Sequence, residues 1–416
     1  MNLQVVLNPP RQKHKSNLNF DPVKVSAVNH SRLTIIKSLL DGYDGSTPFH
    51  LYLKACFVKH KNFGSRDRRI YSSWCYAYLR LGKALPKQDF NTRLAVAWYL
   101  VHGDQDEIFK TLNNGMIAET ALPTIAERIR FIAEIFSDFN VNDIFPFALP
   151  LSGNISGSDY AESMLTQPRV WIRIKEGKVA TVIDDLEANG IPFEKDEENS
   201  GMLSFNSGVK LEVLNSKQKG FFEIQDRSSQ LAGAAIPAKK GEHWWDCCCG
   251  AGGKSLEVFD KVPGVKITAT DSRAAILKNY RERTQTYHSQ LSTTLLDLEQ
   301  PVSPGFFGSK FDGIIADVPC SGSGTWSRTP EYLRFFDAET IANYVKRQQT
   351  IIAATIPFLK TGGTLIYITC SVFKAENEDM AEWISSLSGM KLESQKHING
   401  TSVLADSMFC GIFVKL

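Results

Sequence analysis

No stretch of this sequence approaches the roughly 20 apolar residues that cross a bilayer. The apolar run Leu3–Leu7 stops at Pro9-Pro10 and is too short for the core of a secretory signal. Cys-x-x-Cys pairs are absent too. The 8 cysteines, at Cys56, Cys75, Cys247, Cys248, Cys249, Cys320, Cys370 and Cys410, therefore suggest neither a disulfide framework nor a zinc site. Cys247, Cys248 and Cys249, read as part of a strand, would point to alternate faces and not share one metal. Charge of one sign is also lacking: Lys and Arg number 47 against 45 Asp and Glu, a formal net charge of +2. Internal repeats and low-complexity tracts are missing as well. The expectation is a soluble, metal-free protein of a reducing, cytoplasmic setting. Nothing points to oligomers, so a monomer is expected.

What is present is the composition of a globular protein, 43% hydrophobic and 22% charged, in a chain of 416 residues that suits two or three domains. From Val23 to Asn140 apolar residues recur every three or four positions, as in Leu33-Ile36-Leu40 and Tyr71-Cys75-Tyr78-Leu79. Gly42, Gly45, Pro48 and Gly64 fall between such segments, so residues 1–145 read as a helical domain. Basic clusters at Arg11–Lys13–Lys15, Lys59–Lys61, Arg66–Arg68–Arg69 and Arg169–Arg173–Lys175 fit either a solvated face or a surface that tracks phosphates.

Residues 146–167, with Pro150, Gly153, Gly157 and Ser156–Ser158, read as a linker holding one short helix. Residues 168–220 predict a small α+β domain: strand Val170–Ile174, helix Lys178–Asn189, and strands Met202–Phe205 and Val209–Leu214. From 221 to 416 strands and helices alternate. Strands are predicted at Trp244–Cys249, Lys266–Asp271, Thr294–Leu298, Gly313–Val318, Thr364–Thr369 and Met408–Leu416, and the main helices at Ser272–Arg283, Ala338–Leu359 and Ala375–Leu387. That order specifies an α/β, Rossmann-like domain, a doubly wound and mostly parallel sheet with helices on both faces.

The first of these strands runs into Gly250-Ala251-Gly252-Gly253-Lys254, where glycine lets the backbone turn and a ligand approach closely. Asp271 closes the second strand, a place suited to the hydroxyls of a ribose, and Asp297 ends the third, near an adenine edge. Either acid alone is equally an ordinary helix cap. At successive strand ends they outline a nucleoside pocket. The G-x-G-x-x-G pattern of a dinucleotide dehydrogenase is incomplete, since Lys254 and Ser255 follow Gly253. S-adenosyl-L-methionine carries no phosphate and needs no full phosphate loop, so it is the expected cofactor.

Cys320, in Asp317-Val318-Pro319-Cys320-Ser321-Gly322-Ser323-Gly324-Thr325, and Cys370, in Thr369-Cys370-Ser371, each follow a predicted strand. Free cysteine is more often a small buried hydrophobe, yet the C-terminal edge of an open α/β sheet is where its active site lies. Carbon 5 of cytosine is too poor a nucleophile to take a methyl group directly. A thiolate adding at carbon 6 makes it one. An acid such as Asp317 can hold a proton on ring nitrogen 3, and a second cysteine can assist release of the product.

In these segments the chain resembles the Nop/Sun family of RNA cytosine-5 methyltransferases. The likeness is carried by Asp317–Thr325 with Arg328-Thr329-Pro330-Glu331, by Thr361–Ser371 with Glu376-Asn377-Glu378, by Gln225–Gln230 and by Gly64–Arg69. The resemblance implies Cys370 as the nucleophile, Cys320 as the residue assisting breakdown of the adduct, Asp317 in contact with the base, and Lys254 near base and cofactor. It implies Asp271 at the ribose, Asp297 at the adenine, and an N-terminal NusB-like domain and a small α+β domain that both help to hold RNA. The expected cofactor-binding set is Cys248, Cys249, Gly250, Ala251, Gly252, Gly253, Lys254, Asp271, Arg273, Asp297 and Asp317. Small-subunit ribosomal RNA is the expected partner, with transfer RNA, or a non-catalytic ribosomal RNA-binding assembly factor, as the alternatives. DNA cytosine methylation would place the nucleophile in the Pro-Cys motif alone. Two positions depart from the family pattern: Gly250-Ala251 stands where Ala-Pro is usual, and Ser327-Arg328 where paired arginines are frequent.

Overall fold

The structure is a computed structural model that describes residues 22–103, 106–113, 115–117, 122–153 and 155–416. The basic cluster at Arg11–Lys15 and the run Leu3–Leu7 lie outside them. The N-terminal part is helical: α1 (Pro22–Asp41), α2 (Phe49–Lys59), α3 (Ser65–Arg80), α4 (Phe90–His102), α5 (Glu107–Asn113) and α6 (Ile125–Ile135). The apolar spacing does the work. Tyr71, Trp74, Cys75, Tyr78 and Leu79 make one buried face of α3, and Trp74 stacks on Trp98 of α4 with ring centroids 4.0 Å apart. Asp89 starts α4 by accepting the N–H groups of Asn91 and Thr92, and a Thr124–Glu127 capping box starts α6.

This helical core does not stop at residue 145. It continues through Phe145, Tyr160 and Leu165 to Trp326, Phe336, Val372 and Phe373 of the sheet unit. The segment expected to be a linker carries its short helix, α7 (Gly157–Ser163), but it is packed rather than loose. Leu151 bridges Phe373, Ser152 N–H donates to Val372 O, and the Tyr160 hydroxyl donates to Ser323 O at 2.6 Å.

The small sheet has the order β2-β3-β1-β4, built from β1 (Val170–Ile174), β2 (Glu194–Lys195), β3 (Met202–Phe205) and β4 (Phe222–Ile224), with α8 (Val179–Ala188) and α9 (Asn215–Gln218) between strands. Val209–Leu214 is not a strand. Its alternation is satisfied by burying Leu211 and Leu214 in the core, and the free edge of β1 is taken instead by Phe222–Ile224. A strand beyond residue 220 therefore belongs to the small sheet.

After α10 (Arg227–Ala234) come β5 (His243–Asp246), α11 (Gly253–Lys261), β6 (Lys266–Asp271), α12 (Ala274–Arg283), β7 (Leu291–Leu295), β8 (Phe311–Asp317), α13 (Tyr332–Phe335), α14 (Thr340–Thr355), β9 (Leu359–Thr369), α15 (Glu378–Ser386), β10 (Met390–Ile398) and β11 (Met408–Lys415). The large sheet has the order β10-β11-β9-β8-β5-β6-β7. Strands β9, β8, β5, β6 and β7 run parallel, and β11 lies antiparallel between β9 and β10. This is the doubly wound arrangement expected. Three details differ. The first strand ends at Asp246, so Cys247, Cys248 and Cys249 lie in the turn beyond it. The third strand ends at Leu295, which leaves Asp297 two residues outside it. Strand β10 was not expected, because as an edge strand it leaves most of Lys391–Lys396 exposed and reads as polar.

Candidate active site

The C-terminal ends of β5, β6, β8 and β9 open into one cleft of about 440 Å³, within the range of small-molecule sites. Cys248, Cys249, Gly250, Ala251, Gly253, Lys254, Asp271, Arg273, Asp297, Asp317, Cys320 and Cys370 all line it. Gly252 does not. It caps α11 at φ +87°, and a Cβ there would stand 2.9 Å from the Tyr280 ring, so its glycine serves the strand–helix packing. Gly250 also has positive φ, +51°, and open space where a Cβ would point.

At the nucleoside end Asp271 is buried and anchored through both oxygens. Its carboxylate accepts from Gly250 N at 3.1 Å, from Arg273 N at 3.0 Å and from the Arg273 guanidinium at 2.9 and 3.0 Å. Burial pulls its pKa up, but the Arg273 hydrogen bonds and charge, with the Gly250 N–H, outweigh that and hold it below the usual carboxylate range. Asp297 sits exposed at the rim and accepts from Glu299 N at 3.0 Å. Asp246, which sequence reading passed over, is 1% exposed on the cleft wall. Its Oδ2 accepts from Ser255 Oγ at 2.6 Å, and its buried Oδ1 has no partner within the protein. Burial raises this carboxyl to about 7 against the Ser255 hydrogen bond. An orphaned buried acceptor, a glycine cradle and a rim of acids fit a nucleoside bearing an amino group.

At the other end of the cleft Lys254 is 5% exposed. Its Nζ donates to Ser229 Oγ at 2.7 Å and pairs with Asp317 Oδ2 at 3.3 Å. Burial alone would lower its pKa, but the carboxylates of Asp317, Glu257 and Asp246 raise it above the ordinary lysine value, so the ammonium stays charged.

The two half-buried cysteines meet beside it. Their Sγ atoms are 3.3 Å apart, and Cys370 N–H donates to Cys320 Sγ at 3.3 Å. The neighbouring Cys370 thiol and burial push Cys320 well above the usual cysteine range, which keeps it a thiol. The two loops are tied by Glu376, which is fully buried. It accepts from Ser321 N at 2.9 Å, Ser321 Oγ at 2.5 Å, Ser371 Oγ at 2.6 Å and Gln348 Nε2 at 2.9 Å. Gly324 completes the closure. Its N–H donates to Cys370 O at 2.9 Å, and a Cβ there would lie 1.9 Å from Ser407 O. The sequence singled out Glu376 by resemblance without a role, and Gln348 carried no signal.

Two basic positions are engaged within the protein. Arg328 does not face the cleft. Its Nε donates to Asp406 Oδ1 at 2.7 Å, and its Nη2 donates to Asp226 Oδ2 at 2.8 Å and Arg169 O at 3.1 Å, clasping the small sheet to the large one. Arg173, 9% exposed, pairs with Asp260 at 2.8 Å and donates to Gln225 at 2.9 Å, and Lys175 also reaches Asp260. That basic cluster is an internal joint rather than a phosphate-tracking surface. Lys59, Lys61, Arg66 and Arg69 do remain exposed. Among the described residues no group of His, Cys, Asp and Glu could hold a metal ion, and no helix is long and apolar enough to cross a membrane.

Residues 234–403 match the family model of the 16S rRNA methyltransferase RsmB/F. Ribosomal RNA small subunit methyltransferase B of Proteus mirabilis is 25% identical over 252 residues, 60% of each chain. The corresponding protein of Vibrio cholerae is 30% identical over 192 residues, 46% of this chain and 44% of its own. The chain thus spans about half the length of the curated relatives it matches. Among solved structures, PH0851 superposes with a TM-score of 0.65 over 96% of this chain and 100% of its own at 18% identity. NSun6 from Pyrococcus horikoshii, crystallised with SFG, superposes with a TM-score of 0.56 over 63% of this chain and 96% of its own at 17% identity. These two establish the fold. Residues 234–403 are thus similar to the RsmB/F methyltransferases, and the sheet-edge cleft lies on a fold shared with PH0851 and NSun6.

Proposed function

We propose that the protein methylates carbon 5 of a cytosine in ribosomal RNA, through a covalent adduct on Cys370. The observation that carries this reading is the 3.3 Å approach of two thiols on loops from different strands. The family resemblance makes Cys370 the sulfur that attacks, with Cys320, pushed up by its neighbour and by burial, beside it as a thiol. It adds to carbon 6 and makes carbon 5 nucleophilic. Bound S-adenosyl-L-methionine supplies an electrophilic methyl group. Gly250, Asp271, Asp297 and the free oxygen of Asp246 are the groups to hold that cofactor, with Arg273, Cys248 and Cys249 around them.

Asp317, oriented by Lys254 at 3.3 Å, delivers a proton to ring nitrogen 3 as the thiolate adds at carbon 6, and takes it back when the adduct collapses. Solvent water takes the proton from carbon 5, the C5–H electrons re-form the 5,6 double bond, and the carbon 6–sulfur pair leaves on Cys370 as its thiolate. The Cys320 S–H stabilises the departing Cys370 thiolate across their contact.

The test is to incubate Cys320→Ala and Cys370→Ala proteins with RNA and the cofactor, then denature. The Cys320 variant is expected to retain an RNA–protein adduct and the Cys370 variant none. Adduct dependence on Cys320 instead would reverse the roles.

A further inference from the structure

A second cavity, of about 180 Å³, lies between the helical N-terminal part and the sheet unit, with Tyr43, Glu331, Tyr332, Phe335 and Tyr344 among its walls. Cavities of about 150 Å³ already admit a benzene ring. Glu331 is 3% exposed. Its Oε1 accepts from Phe49 N at 2.9 Å, at the start of α2, but its Oε2 is buried with no hydrogen-bond partner within the protein. A buried carboxylate oxygen without a donor is unfavourable, so the pocket is built for a ligand that brings one.

The rest of the pocket says what kind of ligand. Tyr332 and Phe335 are large rings left 39% and 38% exposed. The Phe335 ring stands edge-on to Tyr43 at 5.2 Å, an approach that requires glycine at position 45, where a Cβ would lie 2.8 Å from the ring. Flat apolar walls accept planar heterocycles. The exposed Arg334 rests over the Tyr78 and Phe335 rings at 5.8 and 5.7 Å, placing a cation at the rim. That cation attracts a phosphate and repels an incoming lysine or arginine.

The cavity is also coupled by position to the catalytic cleft through helix α14. Tyr344 lines the cavity, while Arg347 and Ile351, about one and two turns further along, line the cleft. From these features we infer that the cavity binds one unstacked nucleobase adjacent to the target cytosine: its ring between the aromatic side chains, an N–H on Glu331 and its phosphate near Arg334. This rests on the RNA methyltransferase reading and adds a specificity pocket to it.

The experiment uses the full chain and short fluorescein-labelled single-stranded RNAs with a central cytidine flanked by guanosines. One guanosine at a time is replaced by an abasic residue, and anisotropy reports affinity. For the wild type, one abasic position is expected to weaken binding about tenfold. That penalty should vanish in Phe335→Ala and in Glu331→Gln, while calorimetric binding of S-adenosyl-L-methionine is unchanged. The Phe335 variant alters an exposed ring and guards against a folding defect in the other. Abasic penalties that are flat across positions, or that survive both substitutions, overturn the pocket while leaving RNA binding intact. Loss of binding of an arginine-rich peptide in Glu331→Gln, with flat RNA penalties, assigns the cavity to a cationic protein segment and also overturns it. A wild type that binds none of these RNAs sinks the methyltransferase reading itself, and the pocket with it.

Discussion

Cys320 and Cys370 stand with their sulfurs 3.3 Å apart although 50 residues separate them in the chain. A covalent disulfide needs about 2.05 Å, so a small movement of the two loops brings them into bonding range. Diamide, which takes two electrons and two protons from the pair of thiols, is expected to link them and abolish adduct formation, with recovery after dithiothreitol. Peptide mapping by mass spectrometry would show the crosslinked pair. Its absence under conditions that oxidise Cys248 would mean the loops are held too rigidly to close.

Glu376 is the hub of both loops. Replacing it with Ala leaves the Ser321 N–H, two serine hydroxyls and the Gln348 amide without their acceptor. The expected loss is about 3 kcal/mol or more of stability, read from urea unfolding. Adduct yield should fall with it. Unfolding unchanged from the wild type would remove Glu376 from this role.

Stability should decline as pH rises from about 4 to about 7. Burial raises Asp246, Glu257 and Asp406 each to about 7. In that window the folded state keeps protons that the unfolded chain has already released. The unfolded state binds fewer protons, and the unfolding free energy therefore falls with pH. Above about 7 these three groups add no further slope. Urea midpoints across the range should show this decline, and Asp246→Asn should flatten part of it. An unaltered slope in that variant would contradict the buried-acid account.

Arg328 binds two carboxylates and one carbonyl, Asp226, Asp406 and Arg169 O, at the joint of the two sheets. Lysine cannot reproduce this fork. Both Arg328→Ala and Arg328→Lys are expected to lower the melting temperature, the Ala variant by the equivalent of about 3 kcal/mol, because two acids are left facing each other. A calorimetric melting temperature matching the wild type for Ala would show the clasp to be dispensable.

The sequence alone determined the alternation of strands and helices, because periods of two and of three to four residues are local. Val170–Ile174, Met202–Phe205 and Lys266–Asp271 are strands as the residues predict, and Tyr71–Leu79 is a buried helix face. It also determined which residues converge. Strand C-termini in a parallel sheet share one edge, so Gly250, Asp271, Asp317, Cys320 and Cys370 were legible as one site. Tertiary structure decided what local pattern cannot carry. Whether Phe222–Ile224 joins the small sheet depends on an edge left free by β1, and the missed strand β10 exists only because β11 offers a partner. The same holds for charge. Arg173 and Arg328 look like surface cations in sequence, and only packing turns them inward onto Asp260, Asp226 and Asp406. The inequality of the two cysteines came from the resemblance at the sequence level. Tertiary structure adds their 3.3 Å contact, a long-range pairing that no spacing along the chain encodes.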